Sequence, residues 1–323
     1  RSLYPPERLH KAEQALCTGA HLGCRLWFAS GVPSPEQAPT PEAKHLAEQA
    51  QLQADRNRAY YAKNRALHRS VVLRLTEQIR NCILVHQQPN ARIARSGALD
   101  PERVWRAPLL NDSRVFCCAE EENQPSFTVD LLLDASASRL HCQEVIAAQG
   151  TILAQSLAAC GIPVRVSSFC SLRGYTVLRV LKGFADKSLQ GIDQYFASGW
   201  NRDGLALRAA GDLVSFDPGP APRHLLILLT DASPNDSRRV PPSPEQPLGC
   251  DYGGSYGVDD AAAEVRTLRR NGLRVSAVFM GEDSSSHDAE RIYGKNLARI
   301  RGMDQLARAA GRLIQNEIRE LGD

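Results

Sequence analysis

Apolar and polar positions follow different patterns in the first hundred residues and in the rest of the chain. Between residues 6 and 28 the leucines recur at broadly helical spacing, which predicts a helix there. Residues 41–86 are rich in Ala, Gln, Leu and Arg without an internal Gly or Pro, which favours one long helix or two successive helices. No run in residues 1–100 is typical of a strand, so we expect a helical N-terminal region.

From residue 101 onward, strand-like and helix-like patterns alternate. The predicted strands are 127–133, 164–170, 175–181, 224–229 and 273–280, and the predicted helices are 140–159, 203–214, 259–271 and 303–321. Gly174, between the second and third strands, predicts a hairpin at a sheet edge. This order predicts an α/β fold, a doubly wound, mostly parallel sheet with one antiparallel edge strand. We therefore divide the chain into a helical region at 1–100 and a second domain at 101–323, with its core at about 126–322.

The composition is that of a folded globular protein, with 43% hydrophobic and 23% charged residues among 323. A net charge of +3 is too small to favour nucleic acid or an anionic membrane as the main partner. No apolar run reaches the roughly 18–20 residues that span a bilayer, and the first residues lack the layout of a secretory signal. The nine cysteines have irregular spacing, so we expect them to be reduced and the protein to be cytoplasmic.

Oxygen-bearing side chains follow the ends of two predicted strands. Asp134, Ser136 and Ser138 come directly after the first strand, and Asp231 comes after the central one. Ligands of open α/β sheets bind beyond the carboxyl ends of the strands, so these residues are expected to converge. Two carboxylates and two hydroxyls suit Mg²⁺, or Mn²⁺ or Ca²⁺, with a position left open for an acidic group from outside. Helix capping is the alternative for the first loop, and turn chemistry is the alternative for Asp231.

A third loop, residues 199–204, opens the predicted helix at 203 and offers Asn201 or Asp203 as a further ligand. Helix capping is an equally good explanation of both residues. No general base lies in these loops, because His141 and His224 lie in the helix and strand stretches themselves. The pattern therefore indicates a binding module more than an enzyme.

The first two loops resemble those of von Willebrand factor A domains. Asp134, Ser136 and Ser138 match the Asp-x-Ser-x-Ser signature of the metal-ion-dependent adhesion site of that family, and Asp231 matches its second acidic loop. Residues 201–208, 230–236 and 252–260 are similar to a narrower group, the nitric-oxide-reductase activation proteins and the cobaltochelatase accessory subunits. The resemblance covers about residues 95–320.

This resemblance implies a cytoplasmic partner of a MoxR- or chelatase-type AAA+ ATPase, with an acidic residue of a client protein completing the metal site. Two positions depart from the family pattern. Asn201 stands by register where the family usually has Thr, although Asp203 is the better ligand by chemistry. Arg139 stands where many adhesion-type domains have Met, and its charge either weakens metal affinity or helps to bind an acidic partner. Arg139, Arg202 and Ser233 are the predicted partner contacts beside the metal.

Two alternative functions stay open. A non-ATPase subunit of a metal chelatase would require a tetrapyrrole-sized pocket, but the sequence has no His pair or acidic cluster that demands one. A hydrolase would have to reside in the N-terminal region, and the chain has no His-Glu-x-x-His motif.

Four further features of the sequence have a simple structural explanation. Cys17, His21 and Cys24 would share one face of a helix, and buried packing is a better explanation than a zinc site with three ligands. His287 follows a Ser run typical of an exposed connector, and the arginines of residues 56–80 suggest a solvated helix face, with ATPase contact as the alternative. The adjacent cysteines Cys117 and Cys118 are predicted to lie in a strand.

Overall fold

The computed structural model describes residues 2–31, 35–86, 90–110, 112–120, 127–244 and 246–322. Its helices are α1 Pro6–Leu16, α2 Pro41–Lys63, α3 Arg65–His86, α4 Arg106–Leu110, α5 Gln143–Ala159, α6 Asp203–Phe216, α7 Gly254–Arg270, α8 Ser286–Tyr293 and α9 Met303–Gly322. Its strands are β1 Arg25–Ser30, β2 Asn90–Ala94, β3 Ala98–Leu99, β4 Phe116–Glu120, β5 Phe127–Asp134, β6 Val164–Leu172, β7 Tyr175–Lys182, β8 Arg223–Thr230, β9 Asn235–Val240, β10 Cys250–Gly253, β11 Arg274–Phe279 and β12 Leu297–Arg299.

A seven-stranded sheet in the order β1-β7-β6-β5-β8-β11-β12 forms the centre of the molecule. Strands β6, β5, β8, β11 and β12 are mutually parallel, and β7 runs antiparallel to β6. The predicted α/β fold class is therefore confirmed. Strands β5 and β8 are almost wholly buried, because helices cover both faces of the sheet.

The expectation that the first hundred residues lack strands is wrong. Residues 25–30 form β1, which pairs in parallel with β7 at the edge of the main sheet. Leu26 and Phe28 are buried, whereas Trp27 between them is exposed, which is the period-two pattern of a strand. Leu26 therefore belongs to a strand and not to a continuation of α1, which ends at Leu16. Because β1 lies outside β7, the antiparallel part of the sheet has two strands, and β7 is not its edge.

Helices α2 and α3 are two successive helices, one of the two predicted alternatives. Helix α3 packs with α5 and α9 over one face of the sheet, where Leu75, Ile79 and Leu306 are fully buried. Helices α1, α6, α7 and α8 cover the other face. The N-terminal region thus adds a strand to the main sheet and helices to both of its faces, while the division at residue 100 stays a prediction.

The structure has several short elements, and of these only a strand at 117–118 was predicted among the described residues. Strands β2, β3 and β4 form a separate small sheet, and β4 contains the cysteine pair at 117–118, as predicted. Strands β9 and β10 form a second small sheet beside the main one, and α7 begins at Gly254 instead of residue 259. His287 lies in the first turn of α8 and not in a connector. None of the described helices is both long enough and apolar enough to cross a bilayer.

Candidate metal site

The first loop begins at the carboxyl end of β5, in the middle of the sheet. Asp134 is the last residue of that strand and is fully buried. Its Oδ1 accepts a hydrogen bond of 2.9 Å from the backbone N–H of Ser136, which fixes the carboxylate in place. The hydroxyls of Ser136 and Ser138 lie 2.9 Å apart. The alternation in Asp-x-Ser-x-Ser therefore places one carboxylate and two hydroxyls on the same side of the loop.

The second loop leaves β8, the strand next to β5, and therefore meets the first loop directly. Ser138 Oγ donates a hydrogen bond of 2.7 Å to Asp231 Oδ2, which joins the two loops. Thr230 Oγ1 donates a longer bond, 3.4 Å, to Asp134 Oδ2. Thr230 stands in the motif that the sequence revealed, but it had not been predicted as a site residue.

The third loop is attached to both other loops through its backbone. The Ala137 N–H donates to the Gly199 carbonyl at 2.9 Å, and Asn201 exchanges two 2.9 Å backbone hydrogen bonds with Asn235. Gly199 has a φ of +70°, and a Cβ there would lie 2.3 Å from the carbonyl oxygen of Ser171, so only glycine fits. All three predicted loops therefore meet at one point of the sheet.

The two alternative residues of the third loop differ in their hydrogen bonds. Asn201 Nδ2 donates to the Ser233 carbonyl at 3.1 Å, so its amide already has a structural partner. Asp203 is fully buried at the start of α6, and neither of its carboxylate oxygens makes a hydrogen bond of standard geometry, although the neighbouring Asn201 side chain lowers its pKa against the larger effect of burial. A buried carboxylate without partners is costly, and a bound cation would remove that cost.

Burial and neighbouring carboxylates raise the pKa values of Asp134 and Asp203. Burial, and then the nearby Asp231 carboxylate, raises the pKa of Asp134 to about 7. Burial, and then the Asp134 and Asp231 carboxylates, raises the pKa of Asp203 well above its ordinary value. Without a cation these carboxyl groups therefore resist ionisation, and a hard divalent cation that replaces their protons fits this set of oxygen atoms.

Arg139 and Arg202, two predicted partner contacts, both lie inside the protein. Arg139 is 5% exposed, and its guanidinium forms an ion pair with Asp231. Arg202 is fully buried, and its Nη1 donates a hydrogen bond of 2.9 Å to Asp236 Oδ2. Its guanidinium carbon lies 4.1 Å from the ring centroid of Tyr252. The guanidinium of Arg202 therefore does not reach the surface. Ser233, in contrast, is exposed on the second loop.

Cys17, His21 and Cys24 are all buried, but they do not share a helix. His21 lies in a short 3-10 turn after α1, and its Nδ1 accepts a hydrogen bond of 3.0 Å from Arg202 Nε. Burial, and then Arg208 and Arg202, lowers the pKa of His21 to about 2, so the ring is neutral. The described cysteines, namely Cys17, Cys24, Cys82, Cys142, Cys160, Cys170 and Cys250, are free thiols.

His21 also lies near Asp260 and Glu264, and one potential ligand atom from each residue falls within 4.8 Å of the others. Because Nδ1 accepts from Arg202, the proton of the neutral ring is on Nε2, which lies 3.4 Å from Asp260 Oδ2 without forming a hydrogen bond. Asp260 also accepts a hydrogen bond of 2.6 Å from the Tyr252 hydroxyl, and Glu264 accepts one of 2.8 Å from Arg208. These contacts describe a hydrogen-bonded structural cluster. The sequence did not indicate it, because its members are far apart along the chain.

The two histidines nearest to the loops in sequence lie outside the site. His224 lies at the start of β8, the opposite end from Asp231, and its Nδ1 is 2.8 Å from Thr128 Oγ1. His141 is exposed in the 3-10 turn Ala137–Cys142 that follows the first loop. The carboxylates of Asp134, Asp203 and Asp231 are oxygen ligands of the kind that a hard divalent cation takes.

No family model matches the sequence, and no curated protein resembles it in sequence. Solved structures resemble it at low identity. The pilus adhesin SpaC from Lactobacillus rhamnosus GG is 14% identical over 62% of this chain and 31% of its own, with a TM-score of 0.41. The manganese-loaded TRAP protein of Plasmodium vivax is 16% identical over 61% of this chain and 74% of its own, with a TM-score of 0.43. Mussel byssus proximal thread matrix protein 1, solved with zinc in its adhesion-site motif, is 16% identical over 61% of this chain and 46% of its own, with a TM-score of 0.42. This chain therefore spans about a third of SpaC and about half of the mussel protein.

Proposed function

We propose that this protein is a metal-ion-dependent protein-binding module. The observation that carries the proposal is Asp203, a fully buried carboxylate whose oxygens have no hydrogen-bond partner beside two further buried carboxylates. The proposed ligands come from all three loops: Asp134, Ser136, Ser138, Asp203 and Asp231. Mg²⁺ suits this set of oxygens best, with Mn²⁺ or Ca²⁺ as alternatives. Asn201 positions the loop through its bond to Ser233.

The loops of the site fix the ligands, and the bound cation supplies an attachment point for an acidic group. The backbone N–H of Ser136 orients Asp134, and the backbone N–H of Ser233 donates a hydrogen bond of 3.2 Å to Asp231 Oδ1. The exposed Ser138 and Ser233 lie at the rim, where a partner's carboxylate would arrive. Binding of a carboxylate to such a cation gives a strong, directional contact that depends on the metal.

For the partner, we propose a MoxR- or chelatase-type AAA+ ATPase, or a client protein that such an ATPase remodels. The resemblance of residues 201–208 and 252–260 to nitric-oxide-reductase activation proteins supports this proposal. A cytoplasmic location agrees with the free thiols of the described cysteines.

A second surface, on α3, also supports a protein partner. Arg69, Leu73, Arg80 and Leu84 are separated by 4, 7 and 4 residues, which places them on one helix face. Leu73 is 60% and Leu84 is 65% exposed, and both arginines are exposed as well. Exposed leucines between arginines suit an acidic partner surface with an apolar centre.

The direct test is calorimetric titration of Mg²⁺ and Mn²⁺ into the protein, together with melting curves in EDTA and in Mg²⁺. We expect binding and a higher melting temperature for the wild type, and neither for Asp134→Ala. Asp251→Asn is the control, because the Asp251 side chain is 89% exposed and is not a proposed ligand. An Mg²⁺ response that persists in Asp134→Ala would exclude this metal site.

The partner is tested separately, by pull-down with the MoxR-type ATPase of the source genome in Mg²⁺ and in EDTA. We expect capture in Mg²⁺ that is lost in EDTA and in Asp134→Ala. The double change Arg69→Glu and Arg80→Glu tests the α3 face, and should weaken capture without changing metal binding. Metal binding without ATPase capture would leave the module but remove the ATPase as its partner.

A further inference from the structure

Arg139 places a positive charge directly against the proposed metal ligands. Its Nη2 forms the ion pair with Asp231 Oδ2, the same oxygen that accepts the Ser138 hydroxyl. Its Nε lies 3.4 Å from Ser138 Oγ, and its Nη1 donates 3.3 Å to the carbonyl of Met280 at the end of β11. The guanidinium therefore contacts Ser138 and Asp231, two of the five proposed ligands. Its hydrogen bond to the Met280 carbonyl fixes its other side.

This guanidinium and a divalent cation would use the same oxygens. Arginine is protonated at all accessible pH values, so its charge cannot be removed by titration. It compensates part of the negative charge of Asp134, Asp203 and Asp231, and it has no contact with the unpartnered oxygens of Asp203. A divalent cation at Asp231 would meet both a competing hydrogen-bond donor and a repelling charge.

The position of Arg139 in the chain allows its side chain to leave. It belongs to the 3-10 turn Ala137–Cys142, in which Ser138 before it and Leu140 and His141 after it are exposed. Because this turn lies at the surface, withdrawal of the guanidinium would require rotation of its own side-chain torsions and not movement of a buried element. The released guanidinium would lie at the rim of the metal site, where it can pair with an acidic group of a partner.

We propose that Arg139 is an internal counter-cation that must withdraw from Asp231 before a divalent metal binds fully. This inference rests on the proposed metal-dependent function and adds its regulation. The protein alone then has low metal affinity, and an acidic partner raises that affinity by drawing Arg139 out. Metal binding and partner binding become coupled through one side chain.

The test compares metal affinities by titration calorimetry, with Mg²⁺ and Mn²⁺ as the probes and ionic strength held constant. We expect Arg139→Met to bind at least about tenfold more tightly than the wild type, because both the competing donor and the positive charge are gone. Arg139→Gln, which keeps a donor for the Met280 carbonyl, should also bind more tightly and serves if the Met variant folds poorly. Arg114→Met removes the same charge from an exposed side chain that pairs with Asp112 and should leave metal affinity unchanged.

Melting curves give a second reading that needs no partner. In EDTA, Arg139→Met should melt below the wild type, because three buried carboxylates lose their nearest cation, and Mg²⁺ should raise its melting temperature by more. Equal or weaker metal affinity in both Arg139 variants would overturn the counter-cation role while leaving the metal site in place. Absence of binding in the wild type and in both variants would overturn the proposed function itself.

Discussion

Two buried clusters of charged side chains lie on either side of the start of α6, and they are built on opposite principles. In the metal-site cluster, three carboxylates share one guanidinium, and Asp203 has no hydrogen-bond partner. In the second cluster, which we call the His21 cluster (His21, Arg202, Asp236, Tyr252, Asp260), each carboxylate accepts from a named donor. The first cluster therefore leaves buried carboxylate oxygens for which we propose a cation, whereas the carboxylates of the second are paired within the chain.

The two clusters are neighbours in sequence as well as in space. Arg202 belongs to the His21 cluster, and Asp203, the next residue, belongs to the proposed metal site. Arg202 Nη1 bonds to Asp236 and to the Arg238 carbonyl, and its Nη2 bonds to the carbonyl of Ala20. Arg202 thus anchors the third metal loop to the N-terminal segment and to β9. The difference in composition implies different responses to substitution, pH and metal.

Arg202→Met should produce the largest effect on stability. It leaves Asp236 buried without its cation, and the loss of one partner of a buried pair costs about 3–5 kcal/mol. Urea denaturation in EDTA measures this change. Arg239→Met breaks the exposed pair with Asp251 and should change the free energy of unfolding very little. A small effect of Arg202→Met, similar to that of the control, would contradict a structural role of the His21 cluster.

The next effect is a dependence of stability on pH that comes from His21. Its pKa is about 2 in the folded chain, against an ordinary value of 6.5, so only the unfolded chain takes up a proton between these values. The contribution of neutral His21 to the free energy of unfolding is fully present above pH 6.5. It falls by about 1.4 kcal/mol for each pH unit below that value. Denaturation at pH 7, 6 and 5 in EDTA measures it.

His21→Gln separates this contribution from that of the metal-site carboxylates. Glutamine can still accept a hydrogen bond from Arg202 Nε, but it does not titrate. The raised pKa of Asp134 acts in the opposite direction, because it makes the folded chain bind a proton more readily as pH falls through about 7. The stability difference between wild type and His21→Gln should therefore shrink as pH falls. A difference that does not change with pH would show that His21 is not held neutral.

The meeting of the loops that hold Asp134 and Asp231 could largely be predicted from the sequence, whereas the His21 cluster could not. Asp134, Ser136, Ser138 and Asp231 follow apolar strands at short spacing, and the order of strands alone brings their loops together. His21 approaches Arg202 across 181 residues of sequence, and no local pattern marks that contact. The burial of the Arg139 side chain could not be predicted either, because a residue's type does not reveal which way its side chain points.

The same limit explains the error at β1. The spacing of Leu22 and Leu26 is compatible with a helix, and a six-residue strand is too short to outweigh it in a periodicity analysis. The partner of this strand, β7, lies about 150 residues later in the chain. Buried Leu26 and Phe28 pack into the face of the sheet that α1 and α6 cover, so the tertiary contacts decide the strand.

The smallest effect on stability, and the sharpest distinction between the clusters, should come from Asp203→Asn. Replacing a buried carboxylate that has no hydrogen-bond partner should raise the free energy of unfolding in EDTA, on the order of 1 kcal/mol. The same change removes a proposed ligand, so the Mg²⁺-dependent rise in melting temperature should disappear. Stabilisation in EDTA together with loss of the metal response is unlike any result expected from the His21 cluster.

Asn201→Ala is the matched comparison, because Asn201 is the other residue of the third loop that the sequence offered as a ligand. Its amide donates to the Ser233 carbonyl, so the substitution should lower stability in EDTA while the Mg²⁺ response remains. If Asn201→Ala abolishes the response and Asp203→Asn keeps it, the ligand is Asn201. Asp203 would then be a buried carboxylate kept protonated by its neighbours. Melting curves of both variants in EDTA and in Mg²⁺ decide between these two assignments.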